Sequence, residues 1–363
     1  MLYYSNVIIT RLGYHNGIKI TTKLFKKTKN KLTKSEIKKD SGLKEKEYEK
    51  AIKCFGLNFE SIKKIVNKGK GNLIADFMLI PAHGNDFVYP YNPIYDYTKN
   101  IYHNCLVIMF LCFEIEDKIY PILFDYWISK VYKDENENYL SKDDIFIKSI
   151  EYLLDKGLKI ENILFDSAFF HKKILEKLSK FKVNLVTRCP KSRVLESESG
   201  KEKAEDIFTR SYNGAFYYYH KYRSFLNIKE VKVFNLDGKI VGIANNKECL
   251  LEKKLYFLFT TNLELSSAKI LHLYKKRWKI ESFFKILKSY LSLSVFYRND
   301  YDYVNERINL ALSGFIIIQD IAKKLKRSFY QALKIFQDSK DNNLFFDSFN
   351  ENSKLFIITF EAT

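Results

Sequence analysis

Residues 162–188, NILFDSAFFHKKILEKLSKFKVNLVTR, carry the pattern that decides the class of fold. The apolar run NILF is typical of a buried strand, and it ends on an acid, Asp166. The pattern then predicts a helix over about 171–180 and a second strand over 183–188. Strands that alternate with helices indicate a mixed α/β fold.

The preceding segments add strands to this core. NLIADFMLI is a short apolar run that one acid, Asp76, interrupts. Two further strands are predicted over 105–115 and 119–126, with Glu116 and Asp117 forming the hairpin turn between them. The core therefore begins with strands and a hairpin before the strand–helix alternation sets in.

The strand–helix alternation stops after the strand predicted over 183–188. A helix is predicted over 142–157, but residues 190–255 read differently, beginning with the polar, loop-like SRVLESESGKEKAEDIF. The hairpin-like segments that follow, with Asp237-Gly238 as a tight turn, predict an inserted β-rich subdomain. Tyrosines interleaved with basic residues over 217–223 suit unstacked nucleotides, and a plain tyrosine-rich hairpin face fits them equally well.

The last third of the chain is predicted to be mainly helical. A long helix begins with Ser266 or Ser267 as its cap and runs to about Tyr290. Two more helices are predicted over 303–326 and 328–337.

Composition indicates a soluble globular protein with affinity for polyanions. Among 363 residues, 46% are apolar and 29% are charged, and the net charge is +18. Residues 1–70 hold 18 Lys and Arg against six acids, which is two thirds of that net charge. A charge of this sign favours nucleic acid first and a membrane surface second. An AT-rich genome could account for the total charge, but less well for where the charge lies.

The basic region 1–70 is predicted to be helical. Its segment KLTKSEIKKDSGLKEKEYEKAIKCFGL resembles a helix–turn–helix, and a plain basic helical hairpin remains the alternative. The five cysteines form no CxxC pair, which argues against a zinc site or a disulfide framework. The longest apolar run has nine residues, too short for a membrane span, and no signal peptide is evident, so a cytoplasmic protein is expected.

The long helix carries a polar stripe. At about 100° per residue, one face of the helix carries Tyr274, Arg277, Glu281 and Lys288 within about 60° of one another. The apolar residues of the helix lie on a different face. From geometry alone, a solvated face with ion pairs at three- and four-residue spacing explains this stripe well.

Asp76 and Asp166 give the stripe a second interpretation. A carboxylate at an apolar strand is costly unless something positive meets it. Mg²⁺ prefers oxygen ligands, and two such ions can flank a phosphodiester. With Glu281, these acids would make three convergent carboxylates, although any one of them could also be a turn or cap acid.

These residues resemble a known family. Asp76, Asp166 in the string DSAFF, and a Tyr-Arg-Glu-Lys motif are similar to the DDE transposases of bacterial insertion sequences. The motif reads Tyr274-x2-Arg277-x3-Glu281-x6-Lys288. The resemblance spans about residues 72–325.

The resemblance implies a ribonuclease-H-like catalytic core with a β-rich insertion, preceded by the basic helical N-terminal region. Asp166 and Glu281 are 115 positions apart, which leaves room for the insertion. The expected division of the chain is 1–70 for the N-terminal region, 71–189 for the first part of the core, 190–255 for the insertion, 256–325 for the rest of the core and 326–363 for a C-terminal tail.

The resemblance also implies the site residues. Asp76, Asp166 and Glu281 would be catalytic and would bind two Mg²⁺ or Mn²⁺ ions. Tyr274, Arg277 and Lys288 would hold DNA phosphates by a hydroxyl, a bidentate fork and a point charge. Trp278 could stack on a base, although packing in the core accounts for it as well.

The function that follows is metal-dependent DNA cleavage and strand transfer by a transposase. Its partner would be double-stranded DNA at transposon ends and target, bound by a homodimer in a nucleoid-associated complex, without a membrane. Three alternatives stay open: a ribonuclease-H-like nuclease that cuts without joining, a transposase-derived DNA-binding protein that has lost catalysis, and a basic structural protein whose acids lie far apart.

Overall fold

A computed structural model describes residues 69–81, 92–96, 100–130, 139–209, 216–291, 293–294 and 301–338. Within them the strands are β1 Gly71–Pro81, β2 Asn92–Asp96, β3 Ile101–Ile115, β4 Lys118–Trp127, β5 Ile160–Phe165, β6 Asn184–Cys189, β7 Val194–Ser197, β8 Gly200–Lys203, β9 Tyr217–Tyr219, β10 Ser224–Val233, β11 Leu236–Ala244 and β12 Tyr256–Thr260. The helices are α1 Lys142–Asp155, α2 Lys172–Ser179, α3 Ala204–Thr209, α4 Lys247–Leu251, α5 Ser267–Ser289, α6 Tyr301–Lys324 and α7 Phe329–Asp338.

The described strands form one mixed sheet in the order β2-β3-β1-β5-β6-β12-β11-β10-β7-β8, with β4 on β3 and β9 on β10. The pairs β1–β3 and β3–β4 are antiparallel, whereas β1–β5 and β5–β6 are parallel. An antiparallel hairpin followed by parallel strands is consistent with the ribonuclease-H-like α/β fold that was expected. A helical N-terminal region was predicted over 1–70, including the segment that resembles a helix–turn–helix. Residues 1–68 of it lie outside the described residues.

Helices cover both faces of the sheet, and β1 shows how. Side chains alternate between faces along a strand. Asp76 faces α5, where Arg277 contacts it, while the ring of Phe77 stacks on Phe169 on the opposite face. Because both faces of the neighbouring β3 are covered as well, its side chains are buried without interruption from residue 104 to residue 114.

Several expected elements are confirmed. Glu116 and Asp117 form the turn between β3 and β4 with φ of 49° and 62°, the pair of left-handed conformations that a tight hairpin favours. The long helix α5 begins where expected, since the Ser266 side chain accepts a hydrogen bond from the backbone N–H of Lys269.

The region 190–255 differs from its sequence interpretation in two ways. The polar segment predicted as a loop forms β7, β8 and α3, and the strands of this region continue the same sheet as the core. The predicted turn at Asp237-Gly238 is wrong, because both residues lie within β11 and the left-handed turn falls at Phe234 and Asn235, with φ of 48° and 62°.

The position of Gly238 has a packing cause. A Cβ at this residue would lie 2.5 Å from the ring of Phe259 and from the carbonyl oxygen of Thr260, both on the neighbouring β12. The glycine therefore serves a close approach between strands and not a turn. The expected domain boundaries stay a prediction.

Candidate active site

Three neighbouring elements carry the predicted acids. Asp76 lies in the middle of β1, and Asp166 follows the last residue of β5, the strand paired beside it. The Asp166 side chain caps the short 3-10 turn after β5 by accepting a hydrogen bond of 2.7 Å from the backbone N–H of Ser167. Glu281 projects from α5, which packs across these strands.

Arg277 joins two of these acids. Its Nη1 lies 3.2 Å from Oδ2 of Asp76, and its Nη2 donates to Oε1 of Glu281, one helical turn further along α5. The residue is only 6% exposed, although the motif helix was open to interpretation as a solvated face. The polar stripe of α5 thus faces the sheet in its first part and pairs with an acid of β1.

Asp76 interacts electrostatically with both other acids. The pKa of the Asp76 carboxyl is raised to about 6, mainly by burial. The backbone N–H of Phe77 and the Arg277 guanidinium oppose this rise, whereas the negative charges of Asp166 and Glu281 add to it. Asp76 therefore lies within electrostatic reach of both other carboxylates.

Tyr274 belongs to the same cluster. Its ring lies beneath the Arg277 guanidinium, with 5.4 Å between the guanidinium carbon and the ring centroid. Burial raises the pKa of the Tyr274 hydroxyl, the charge of Arg277 opposes the rise, and that of Asp166 adds to it. The first turn of the motif is therefore a packed cation–aromatic pair beside the acids.

Lys288 and Trp278 lie apart from this cluster. Lys288 is half-buried, and burial lowers the pKa of its ammonium, which lies near the Cys105 thiol on β3. Trp278 is 49% exposed and carries the Lys275 ammonium 4.0 Å from a ring centroid, so packing in the core does not account for it.

The three acids suit a divalent cation by donor type, because carboxylate oxygens are the ligands that Mg²⁺ prefers. Their side chains are not gathered around one point, however: within the described ranges, no three His, Cys, Asp or Glu side chains form a group that could hold a metal ion. The Arg277 guanidinium pairs instead with both Asp76 and Glu281.

The sequence interpretation missed Arg188 and Tyr256. Arg188 lies near the end of β6 and is exposed, and where burial raises the pKa of the hydroxyls of Tyr256 on β12 and of Tyr274, its nearby charge opposes the rise. Burial dominates at Tyr256 and raises the pKa of its hydroxyl to about 12. Arg188 could have been found from the sequence, because it ends the strand predicted over 183–188, the next strand after the one that precedes Asp166.

Comparison with known proteins adds a family. Residues 145–313, a little under half of the chain, match the family model described as the transposase DDE domain. The predicted site residues inside the match are Asp166, Tyr274, Arg277, Trp278, Glu281 and Lys288. Asp76 precedes it. No curated protein matches the chain. The family match supports a transposase of the DDE type, a class of enzymes that process nucleic acid.

None of the described helices is long and apolar enough to cross a membrane.

Proposed function

We propose that this protein is a DNA transposase of the Tyr-Arg-Glu-Lys branch, which cleaves DNA and transfers the cut strand during movement of a bacterial insertion sequence. The observation that carries the proposal is the pairing of Arg277 with Asp76 and Glu281, with the charge of Asp166 acting on Asp76, in a chain whose residues 145–313 match the transposase DDE domain.

In this proposal the three acids hold two Mg²⁺ or Mn²⁺ ions. Such ions, when bound, activate the attacking oxygen and stabilise the leaving oxygen of a phosphodiester. The protein contributes the positions of the acids: Asp76 and Asp166 come from adjacent strands of one sheet, and Glu281 comes from the helix across them.

Arg277 has two tasks in this proposal. Before metal and DNA arrive, it neutralises Asp76 and Glu281. When it releases them, its planar guanidinium can bind a DNA phosphate through two parallel hydrogen bonds. A buried donor without an acceptor is costly, and Nε of Arg277 has none in the part of the chain that the structure describes. An incoming phosphate oxygen would satisfy it.

The remaining DNA contacts are proposed on position and chemistry. Tyr274 would donate its hydroxyl beside Arg277, and the exposed Trp278 would stack on a base. Lys288 is seven residues beyond Glu281, about 10 Å along the helix, so it would hold a phosphate away from the scissile one. Double-stranded DNA as partner fits the net charge of +18. A homodimer on the DNA and nucleoid association complete the proposal.

The test is Mg²⁺-dependent nicking of DNA that carries the element's own ends. We expect Asp166→Ala to lose at least about 100-fold in rate, because removing a metal ligand removes the stabilisation of developing charge. Asp237→Ala, which changes an exposed acid on β11, is the matched control and should nick like the wild type. Equal nicking by wild type and Asp166→Ala would refute the proposed triad.

The same reaction separates the transposase from a nuclease. A transposase joins the freed 3′-hydroxyl to a second DNA strand, so labelled ends should appear in a larger product. Cleaved ends that never join, at any target concentration, would favour the ribonuclease-H-like nuclease instead.

A further inference from the structure

A chain of buried polar side chains crosses the sheet away from the acid cluster. Asn162 Nδ2 donates to Asn72 Oδ1 at 2.8 Å, and Asn72 Nδ2 donates to Glu114 Oε2 at 2.7 Å. The ammonium groups of Lys276 and Lys279 reach the same carboxylate at 3.1 Å and 2.8 Å. Glu114 is only 1% exposed, so its charge depends on these partners.

The two asparagines occupy equivalent places on two strands. Asn72 lies four residues before Asp76 on β1, and Asn162 lies four residues before Asp166 at the end of β5. Residues an even number apart on a strand share a face, so Asn72 faces the same side of the sheet as Asp76, and Asn162, whose side chain bonds that of Asn72, faces that side too. The bond between them fixes these two strands to each other on that side.

The two lysines grip the carboxylate from the helix. Lys276 and Lys279 flank Arg277 on α5 and precede Glu281 by five and two residues. Two contacts from successive turns of one helix to one fixed carboxylate restrict both the rotation and the sliding of that helix. Glu114, on β3, is therefore the point at which the helix is attached to the strands.

A buried ion pair is a weak source of net stability, because desolvation of the charges offsets their attraction, and its best-attested use is to specify one arrangement. A clamp of this kind suits a site in which side chains must be held to within a fraction of an ångström. It connects every element that carries one of the three acids.

We propose that Glu114 is a positioning residue: through Asn72, Asn162, Lys276 and Lys279 it fixes α5 on β1 and β5, so that the backbones carrying Asp76, Asp166 and Glu281 form one rigid frame on which these acids can turn toward a metal ion. This inference rests on the proposed function. Glu114 itself touches none of the three acids in the contacts that define the clamp.

The first experiment measures Mn²⁺ binding by the electron paramagnetic resonance of free Mn²⁺, without DNA. Glu114→Gln keeps the size of the side chain and removes its charge. We expect the dissociation constant for Mn²⁺ to rise about tenfold, while a thermal scan shows a single cooperative transition. An unchanged constant in the folded variant would overturn the proposal.

Asp117→Asn is the matched control. Asp117 also pairs with Lys279, at 3.1 Å, but it lies in an exposed turn and is bonded to neither asparagine in the clamp. Its replacement should leave Mn²⁺ binding within about twofold of the wild type. An equal loss of Mn²⁺ binding in both variants would show that removing any acidic partner of Lys279 has this effect. That result would overturn the specific role of Glu114.

Lys279→Gln serves if Glu114→Gln does not fold. In this variant Glu114 keeps the Lys276 ammonium and the Asn72 amide as partners, so the buried carboxylate still has a counter-charge. We expect Mn²⁺ binding to weaken by about threefold. No change in a folded Lys279→Gln protein would overturn the proposal.

A distance measurement separates this inference from the proposed function. Spin labels at the exposed positions Glu161 on β5 and Ser282 on α5, in a background without reactive cysteines, report the distance between strand and helix. Glu114→Gln should broaden or shift the distribution, and Asp117→Asn should not. If the wild type binds no Mn²⁺ but the distribution shifts, the proposed function fails and the attachment by Glu114 stands. An unchanged distance distribution in Glu114→Gln would refute the proposal that Glu114 attaches α5 to the strands.

Discussion

Replacing Arg277 with methionine tests whether its guanidinium competes with metal for the acids. The substitution keeps most of the volume of the side chain in its buried place and removes the cation that pairs with Asp76 and Glu281. Without this competitor, we expect Mn²⁺ to bind more tightly to the protein in the absence of DNA.

The magnitude follows from the two contacts. A hydrogen bond between charged groups contributes about 1.5–3 kcal/mol, and the Asp76 side chain is 24% exposed, which favours the middle of that range. The Glu281 side chain is 54% exposed, so its pair adds little after screening by solvent. A competition of about 2 kcal/mol corresponds to Mn²⁺ binding about 30-fold tighter in Arg277→Met.

The assay is a titration with Mn²⁺ followed by electron paramagnetic resonance, with thermal unfolding at each concentration as a second measure of binding. Lys275→Met is the control, because it removes a cation of the same helix that stacks on Trp278. It should change Mn²⁺ binding by less than about twofold. Weaker Mn²⁺ binding by Arg277→Met would refute the competition and show that Arg277 supports the metal site.

Two further predictions concern the fold. Gly238→Ala should lower the free energy of unfolding by about 1–3 kcal/mol in urea, because its Cβ would meet Phe259 at 2.5 Å; an unchanged midpoint would contradict this packing. Burial would raise the pKa of Glu114, but hydrogen bonds from Lys279, Asn72 and Lys276 outweigh it and hold that pKa below its ordinary value of 4.5. The clamp's contribution to stability is therefore complete above pH 4.5 and is lost as pH falls through the folded pKa. The stability difference between wild type and Glu114→Gln should shrink below pH 4.5, and a constant difference from pH 7 to pH 3 would contradict the assignment.

The sequence predicts elements well where one signal dominates. The apolar runs around Asp76 and before Asp166 identify β1 and β5, and Ser266 gives the start of α5 through its cap. The strands β7 and β8 were not predicted because polar residues make up most of them, so no apolar alternation indicates a strand. Their pairing comes from the sheet they extend, which is information outside the local sequence.

The candidate site is harder to predict because angle on a helix is not distance in space. The helical period places Lys288 on the same stripe as Tyr274, but fourteen residues at about 1.5 Å each separate them by about 21 Å. The period also cannot tell whether a stripe meets solvent or a strand. Arg277 is buried because an acid on β1 lies opposite it, and that pairing spans 201 positions of the chain. The clamp at Glu114 could not be predicted from the sequence for the same reason, since its direct partners lie on two other elements, β1 and α5.

The pairing of Arg277 with Asp76 and Glu281 also affects the order of events in the life of a newly made chain. Carboxylates that approach one another as a chain folds repel one another, and without an internal cation their charge would have to be balanced by a bound proton or a captured ion. Because Arg277 travels on the same helix as Glu281, the counter-charge arrives with the helix. The charges of Asp76 and Glu281 are then balanced by a residue of the chain itself.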